Sequence, residues 1–389
     1  MSENIVHAFM CTGGTIMQFD SLVRYLDSLP EKGVPGCALT VLVDHKPVFR
    51  HMAGEGRPGQ PIDGTETYWL YSATKVFTMT AAMQLIERGL MKLDDPVSKY
   101  IPAYANLTVL EDGKVRPAKT VMTIEHLMTM QGGLDYELEA PGITAALKKY
   151  GDSATTRQLV ESFIEKPLSF DPGTRFDYSL CHDVVAAVIE VVSGMSFAEY
   201  VNENIIRPLG MKNMTFHPTE EQRARLAARY QWDEEKNCIS IENQTNRYVL
   251  SPCYESGGAG LMGDMDSYVL LTDALANDGV GMSGARILSR ESIDEMRKDR
   301  MAGPSRGDFD LRNKVGYSYG LGVRTLVDAD SSRSPVGEFG WDGAAGAWTM
   351  IDPDRHIAAF YVQHVLSCGQ AFDEFHPAIR DLIYEGLDG

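Results

Sequence analysis

The feature that most constrains the fold is where two hydrophobic periods fall along the chain. Strand-like runs occupy both ends, and helical runs occupy the middle. Near the start, "CALTVLVDHKPVFRHMAG" (Cys37–Gly54) reads as a hairpin: an apolar run, a turn at Asp44–Pro47 and a second run. Near the end, "YSYGLGVRTLV", "GAWTMID" and "HIAAFYVQHVL" (His356–Leu366) carry aromatic and β-branched runs separated by Gly, Pro and Asp. Between them, "FTMTAAMQLIERG" repeats apolar residues at helical spacing and stops at Gly89. "TIEHLMTM" (Thr123–Met130) opens with Thr123 as a cap, with His126 where a capping box would carry Glu or Gln. "SLCHDVVAAVIEVVSG" (Ser179–Gly194) is apolar on most sides and predicts a buried helix, and "SFAEYVNENIIRPLG" predicts a helix broken at Pro208. Helical spacing also marks "FDSLVRYLDSLPEKG", with Gly33 as its stop, and "DEFHPAIRDLIYEGL" at the end.

Strands at both ends joined into one sheet require the two ends of the chain to meet. The expected fold is therefore α+β, with an antiparallel β-sheet flanked by helices plus an inserted, mainly helical lobe. Residues 17–75 and 251–389 build the sheet-bearing lobe, residues 76–250 the helical lobe, and residues 1–16 a loose tail, with the active site between the lobes. A chain of 389 residues is long enough for two such lobes, because single cores stop growing near ~250–300 residues.

Charge and cysteine usage exclude several functions. The formal net charge is −18, which repels phosphate backbones and anionic headgroups, so neither nucleic acid nor a membrane surface is an expected partner. Six scattered cysteines form no C-x-x-C pair and read as reduced thiols, mostly buried. Residues 1–16 contain no Lys or Arg and no uninterrupted apolar run, and "VVAAVIEVV" (Val184–Val192) is too short for a membrane span and carries Glu190. The expected compartment is the cytoplasm. The nine histidines show no H-E-x-x-H or H-x-H spacing, and no G-x-x-x-x-G-K loop is present, so no metal or cofactor is expected.

Chemistry concentrates in "YWLYSATKVFTMTAAMQLIERG" (Tyr68–Gly89), where a strand-like run becomes helical. On a helix beginning at Ser72, Ser72 and Lys75 lie one turn apart on the same face. Serine is a weak nucleophile until a neighbour takes its proton, and a desolvated lysine with a lowered pKa can do so. The helix N-terminus adds backbone N–H groups suited to a developing oxyanion. S-x-x-K alone arises by chance about once in a chain this long, with Ser72 then a helix cap and Lys75 a solvated side chain. The apolar flanks, Trp69, Leu70 and Tyr71 before and Val76, Phe77 and Met79 after, weigh against a solvated lysine.

Two further stretches extend the pattern: one from Phe170 to Phe216, with Tyr178 just before the buried helix, and one from Phe339 to Gln363, with a Gly turn before a strand. Together the three resemble the serine β-lactamase and penicillin-binding fold, and within it class C β-lactamases and family VIII carboxylesterases. The likeness runs from about Met17 to the end, with "HLMTMQGGLDY", "PGTRFDYS", "EVVSG", "PLGMKNMTF" and "GGAGLMGDMDSY" in the family's order. The resemblance implies a β-lactamase/transpeptidase-like fold with Ser72 as the acylated nucleophile, Lys75 as its proton partner and Tyr178 in the place of the Y-x-N tyrosine. Either Lys75 or Tyr178 then takes the first proton. Trp341-Asp342-Gly343 falls at the third motif, K-T-G in the lactamases, so the backbone N–H groups of Ser72 and Ala344 would form the oxyanion hole. Trp341, Gly343 and Tyr136 would bind substrate, Tyr136 alternatively being a packed core tyrosine.

Two departures redirect the expected substrate. Tyr178-Ser179-Leu180 lacks the Asn of Y-x-N, a contact for a β-lactam amide. Trp341 replaces the Lys of K-T-G, so an aromatic wall stands where a charge would meet a carboxylate. Losing that charge-assisted bond removes roughly 1.5–3 kcal/mol of binding. Both forms resemble the carboxylesterase branch, although Asp342 stands where that branch carries Gly. The expected activity is a serine carboxylesterase acting on small, mostly neutral short-chain esters through acyl-Ser72, with weak hydrolysis of some β-lactams compatible with it. The partner is then a small-molecule ester, and the sequence carries no signal for an oligomeric state. Alternatives are a β-lactamase or D-alanyl-D-alanine carboxypeptidase, an acyltransferase, and a catalytically silent ligand-binding protein on the same fold. A rival nucleophile, Ser318 in "GYSYG" (Gly316–Gly320), fits G-x-S-x-G, but the strand-like run after it does not supply the helix that an elbow needs.

Overall fold

A computed structural model describes residues 17–233, 235, 237–241 and 245–389, so the tail expected at residues 1–16 lies outside the described residues. Its centre is an eight-stranded antiparallel sheet drawn from both ends of the chain. β1 (Gly36–Val43), β2 (Lys46–Arg57) and β3 (Gln60–Pro61) come from the N-terminal side. β4 (Tyr317–Tyr319), β5 (Arg324–Leu326), β6 (Phe339–Gly340), β7 (Trp348–Asp352) and β8 (Ile357–Gln363) come from the C-terminal side. The order is β4-β5-β6-β7-β8-β1-β2-β3, so the two halves meet where β1 pairs with β8, Cys37 opposite Gln363 and Val43 opposite Ile357. β1 and β8 are apolar and buried nearly throughout because both sheet faces are covered. The β1–β2 turn places Asp44 and His45 at φ +47° and +66°, as a two-residue hairpin loop requires.

On one face lie α1 (Asp20–Ser28) and the C-terminal helix α5 (His376–Asp388), which bury Leu22, Leu26, Ile379 and Ile383 against Leu39, Val41, Met350 and Tyr361. On the other lies α4 (Met265–Ala276), whose Tyr268 ring stacks on Phe360 at 4.1 Å. Tyr268 also donates to the carbonyl of Ala73 at 2.6 Å, tying the sheet to the turn that carries Ser72. Beyond it, α2 (Thr74–Glu87) and α3 (Cys181–Ser193) form the centre of the larger core. α2 is buried from Thr74 to Leu85, consistent with a helix whose apolar residues run all round. α3 ends at Gly194 with φ +72°, the left-handed stop expected from the sequence.

Three local readings are refined. The capping box at Thr123 is complete, because the His126 side chain takes the Glu/Gln role and its Nδ1 accepts from the Thr123 N–H at 3.2 Å. The run His356–Leu366 is not one strand: Ile357–Gln363 belongs to the main sheet, while Val365–Leu366 pairs in parallel with Arg229–Asp233. The middle of the chain also holds two hairpins that helical periodicity did not suggest, Thr108–Glu111 with Lys114–Pro117 and Arg229–Asp233 with Asn237–Ile241. The first turns on Asp112-Gly113, a hairpin dipeptide readable in the sequence. Among the described residues no single helix is long and apolar enough to cross a membrane.

Candidate active site

The segment bearing Ser72 is fixed from both sides before its chemistry begins. Tyr68–Trp69 pairs with Met262–Gly263, and the Leu70 N–H donates to the Leu261 carbonyl at 3.0 Å. Tyr71–Ala73 then forms a short 3₁₀ turn that leads into α2. Tyr71, immediately before the serine, has φ +47°, a left-handed conformation that costs a residue with a Cβ of order 1 kcal/mol or more. Its surroundings hold it there: Tyr71 is buried, its hydroxyl meets Arg229 Nη1 at 2.8 Å and its ring packs edge-on against Tyr248. The sequence placed Ser72 at a helix start; the structure places it one short turn ahead, on a strained corner.

Lys75 lies on the first turn of α2 and is fully buried. Its Nζ is 3.1 Å from Ser72 Oγ, 3.1 Å from Tyr136 Oη and 2.8 Å from the Gly258 carbonyl. Burial pulls the amine down to about 7 from its ordinary 10.5, the charge of Arg312 adding to the fall while Asp183 and Tyr248 oppose it. Asp183, buried one helical layer away on α3, accepts from Tyr254 and Ser256 at 2.7 and 2.6 Å. Burial raises its carboxyl, against those bonds and the charge of Lys75.

Tyr178 stands just before α3 and faces the same point. Lys75 Nζ lies 4.6 Å from the centre of its ring. Burial pushes the phenol above the ordinary tyrosine value, with hydrogen bonding to Ser72, the Arg312 charge and Trp341 acting in opposition. Burial thus moves the two groups apart, the amine down toward neutrality and the phenol away from it. Trp341 donates its indole N–H to Tyr178 Oη at 2.9 Å, so the residue that replaces the lysine of the third motif holds the tyrosine oxygen. Trp341 is buried and packs edge-on against Tyr319.

The turn after Trp341 approaches the serine segment closely. A Cβ on Gly343 would lie 2.2 Å from the Leu70 carbonyl oxygen, so no larger residue fits without moving backbone. The Gly343 N–H goes to the Ala347 carbonyl and the Gly346 N–H to the Gly343 carbonyl, both at 2.8 Å, and Ala344 lies at the tip of the turn. Gly343→Ala is expected to lower stability by about 1–3 kcal/mol through overpacking and to lower kcat as well, checked by thermal unfolding and steady-state assay.

Ser72, Tyr136, Tyr178, Tyr248, Trp341, Gly343 and Ala344 line one open cavity of about 470 Å³. Of the residues that the family resemblance assigns to the site, all line it except Lys75, which is buried 3.1 Å from the serine oxygen. Ser318 does not: it is fully buried on β4 and bonds Asp299, and among the described residues it has no hydrogen bond to a histidine. Sequence reading missed Asp183, Tyr248, Gly258, Arg312 and Lys314. Asp183 had a signal, a carboxylate inside an apolar helix; Arg312 and Lys314 come from a polar connection whose path no periodicity reveals.

A serine hydroxyl set against a buried amine at the mouth of a cavity, on this sheet and helix arrangement, defines an enzyme of the serine hydrolase class. The beta-lactamase family model matches residues 19–375, and the chain belongs to that family. Lovastatin esterase of Penicillium rubens is 31% identical over 304 residues, covering 72% of this chain and 74% of that protein. Esterase EstB of Burkholderia gladioli is 26% identical over 395 residues, covering 94% and 95%. The solved structure of EstCE1, described as a hydrolase with promiscuous acyltransferase activity, superposes with a TM-score of 0.77 at 23% identity, covering 94% of this chain and 98% of that one. These comparisons place this chain among the serine hydrolases of the beta-lactamase family.

Trp341→Phe keeps the aromatic wall and removes one N–H donor. It is expected to lower kcat about tenfold, the equivalent of one hydrogen bond of about 1.4 kcal/mol, with KM for a neutral ester little changed. Steady-state kinetics on 4-nitrophenyl acetate checks this.

Proposed function

We propose that the protein is a carboxylesterase that hydrolyses small, mostly neutral short-chain esters through an acyl-Ser72 intermediate. Lys75, neutral in a large share of molecules near pH 7, takes the Ser72 proton as Oγ attacks the ester carbonyl. The oxyanion forms against the backbone N–H groups of Ser72 and Ala344. The proton passes through Tyr178 Oη to the leaving alcohol, and water then attacks the acyl-enzyme by the reverse route. The observation that carries this reading is the 3.1 Å contact between a fully buried lysine amine and Ser72 Oγ.

The choice of neutral esters rests on the cavity wall. Tyr136, Tyr178, Tyr248 and Trp341 surround the serine, and the Asp342 carboxylate is already paired with Lys314 at 2.5 Å. A short acyl group fits that aromatic wall, and Trp341 stands at the third motif where a lysine would meet the carboxylate of a penicillin or peptidoglycan stem, although Arg312 and the paired Lys314 also line the cavity. The names of the esterase relatives support the same class. The test is turnover of 4-nitrophenyl acetate and butyrate beside nitrocefin. Ester turnover well above lactam turnover is expected; nitrocefin as the better substrate would overturn the esterase reading in favour of a β-lactamase. Acyl transfer shares the acyl-enzyme and differs only in its second acceptor. EstCE1's described promiscuity makes an added alcohol worth including, with the transfer product measured against the free acid.

A further inference from the structure

We infer that Lys314 is a positioning residue for the oxyanion turn, acting through an ion pair with Asp342 of the third motif. The inference rests on the acyl-Ser72 reading. Asp342 sits between Trp341, which holds Tyr178 Oη, and Gly343-Ala344, the turn set against the serine segment. Any displacement of Asp342 therefore moves both. Its carboxylate is buried, with a side-chain exposure of 6%, and the Lys314 side chain is at 12%. Lys314 Nζ meets Asp342 Oδ2 at 2.5 Å, the one hydrogen bond this carboxylate makes among the described residues. The other oxygen, Oδ1, has only the charge of Arg324 Nη1 at 3.5 Å, and Arg324 is shared with Glu338.

The position of Lys314 explains why the pair has a mechanical consequence. Lys314 arrives from the connection between the helix Gly303–Asp310 and β4, a part of the chain remote from Trp341 in sequence. Its Nζ lies 5.8 Å from the centre of the Trp341 ring and 5.1 Å from that of Phe372. It stands in the wall between the reaction cavity and an adjoining cavity of about 250 Å³ lined by Arg324, His376 and Arg380. His376 donates from Nε2 to the Gly346 carbonyl at 3.1 Å, and among the described residues it makes no hydrogen bond to Asp342. Without Lys314 the wall opens, and a buried carboxylate left with only the 3.5 Å contact to Arg324 is drawn toward the water admitted there. A buried charge stripped of its partner is costly, whereas removal of both partners together is tolerated far better. The Trp341–Ala344 turn would shift with Asp342, and oxyanion donors must stay close to their working positions.

The experiment compares Lys314→Met, Lys314→Arg and the double variant Lys314→Met/Asp342→Gly on 4-nitrophenyl acetate, with a fluorophosphonate probe used in parallel. Lys314→Met is expected to lower kcat about a hundredfold with KM within about threefold, the size of effect that a displacement near 1 Å produces. Lys314→Arg keeps the charge and should stay within about fivefold of wild type, and the double variant should recover at least about tenfold of the lost kcat. The probe should still label Ser72 in every variant, more slowly in Lys314→Met. Wild-type kcat in Lys314→Met would overturn the inference while leaving acyl-Ser72 intact, and so would a folded double variant no faster than the single one. Should Lys314→Met fail to fold, the double variant decides alone: kcat within about tenfold of wild type supports the pairing account, and a larger loss refutes it. Failure of the wild-type enzyme to label at Ser72 would instead remove the reading on which the inference stands.

Discussion

Ser72→Ala is expected to lower ester turnover by about 10⁴-fold or more, while Ser318→Ala leaves it within about twofold of wild type. The size follows from removal of the nucleophile, which takes with it the only route to an acyl-enzyme. The contrast follows from the two environments. Ser72 Oγ lines the cavity and lies 3.1 Å from a buried amine. Ser318 is fully buried in a strand paired with β5, and its hydroxyl is committed to Asp299. Loss of the Asp299 bond should appear as a lower unfolding temperature, not as lost turnover. Activity that survives Ser72→Ala and disappears in Ser318→Ala would invert the account.

Lys75 carries the second large effect and the pH dependence. Lys75→Met is expected to lower kcat/KM by about 10³-fold, within the range for removal of a general base. In the proposed mechanism the active form holds a neutral amine. With its value lowered to about 7, kcat/KM for a neutral ester should rise with pH along an acidic limb centred near 7. Tyr178→Phe should lose turnover yet keep that limb, because the phenol lies above the ordinary tyrosine range and titrates elsewhere. The same shift enters stability. Below about pH 7 both folded and unfolded chains carry the Lys75 proton, and the cost of burying the charge is fully present. Between about 7 and the ordinary 10.5 the unfolded chain binds more protons than the folded one, so this site's contribution to stability rises with pH across that window. Denaturant titrations of wild type and Lys75→Met at pH 7 and pH 10 measure it: the wild type should gain on Lys75→Met as pH rises.

The fold was legible because its sheet is made of long apolar runs. β1 and β8 are buried on both faces, and such strands read as continuous hydrophobic segments. α2 and α3 were legible for the same reason, each being apolar nearly all round. Short elements escaped. The hairpin at Thr108–Pro117 is mostly exposed and carries Lys, Arg and Glu, so its only mark is the Asp-Gly turn. In the site, residues on the motif-bearing segments could be named, whereas those supplied by carbonyls or by remote polar connections could not. Gly258 contributes a backbone oxygen to Lys75, which no side-chain pattern records. The sequence sets Asp342 where the carboxylesterase branch carries Gly and names no partner for its carboxylate. The structure shows it paired with Lys314, 28 residues earlier, and that distance along the chain is why the pair was invisible. The strain at Tyr71 was likewise silent, since a tyrosine announces nothing about its φ.

The central claim concerns which oxygen becomes acylated, and trapping the covalent enzyme tests it most directly. The wild-type protein is treated with a fluorophosphonate probe, digested, and the labelled peptide sequenced by mass spectrometry. The account predicts one modification, on Ser72, at a rate that rises with pH through the neutral range and collapses in Lys75→Met. A label on any other serine, or full esterase turnover in enzyme that never labels, would contradict it.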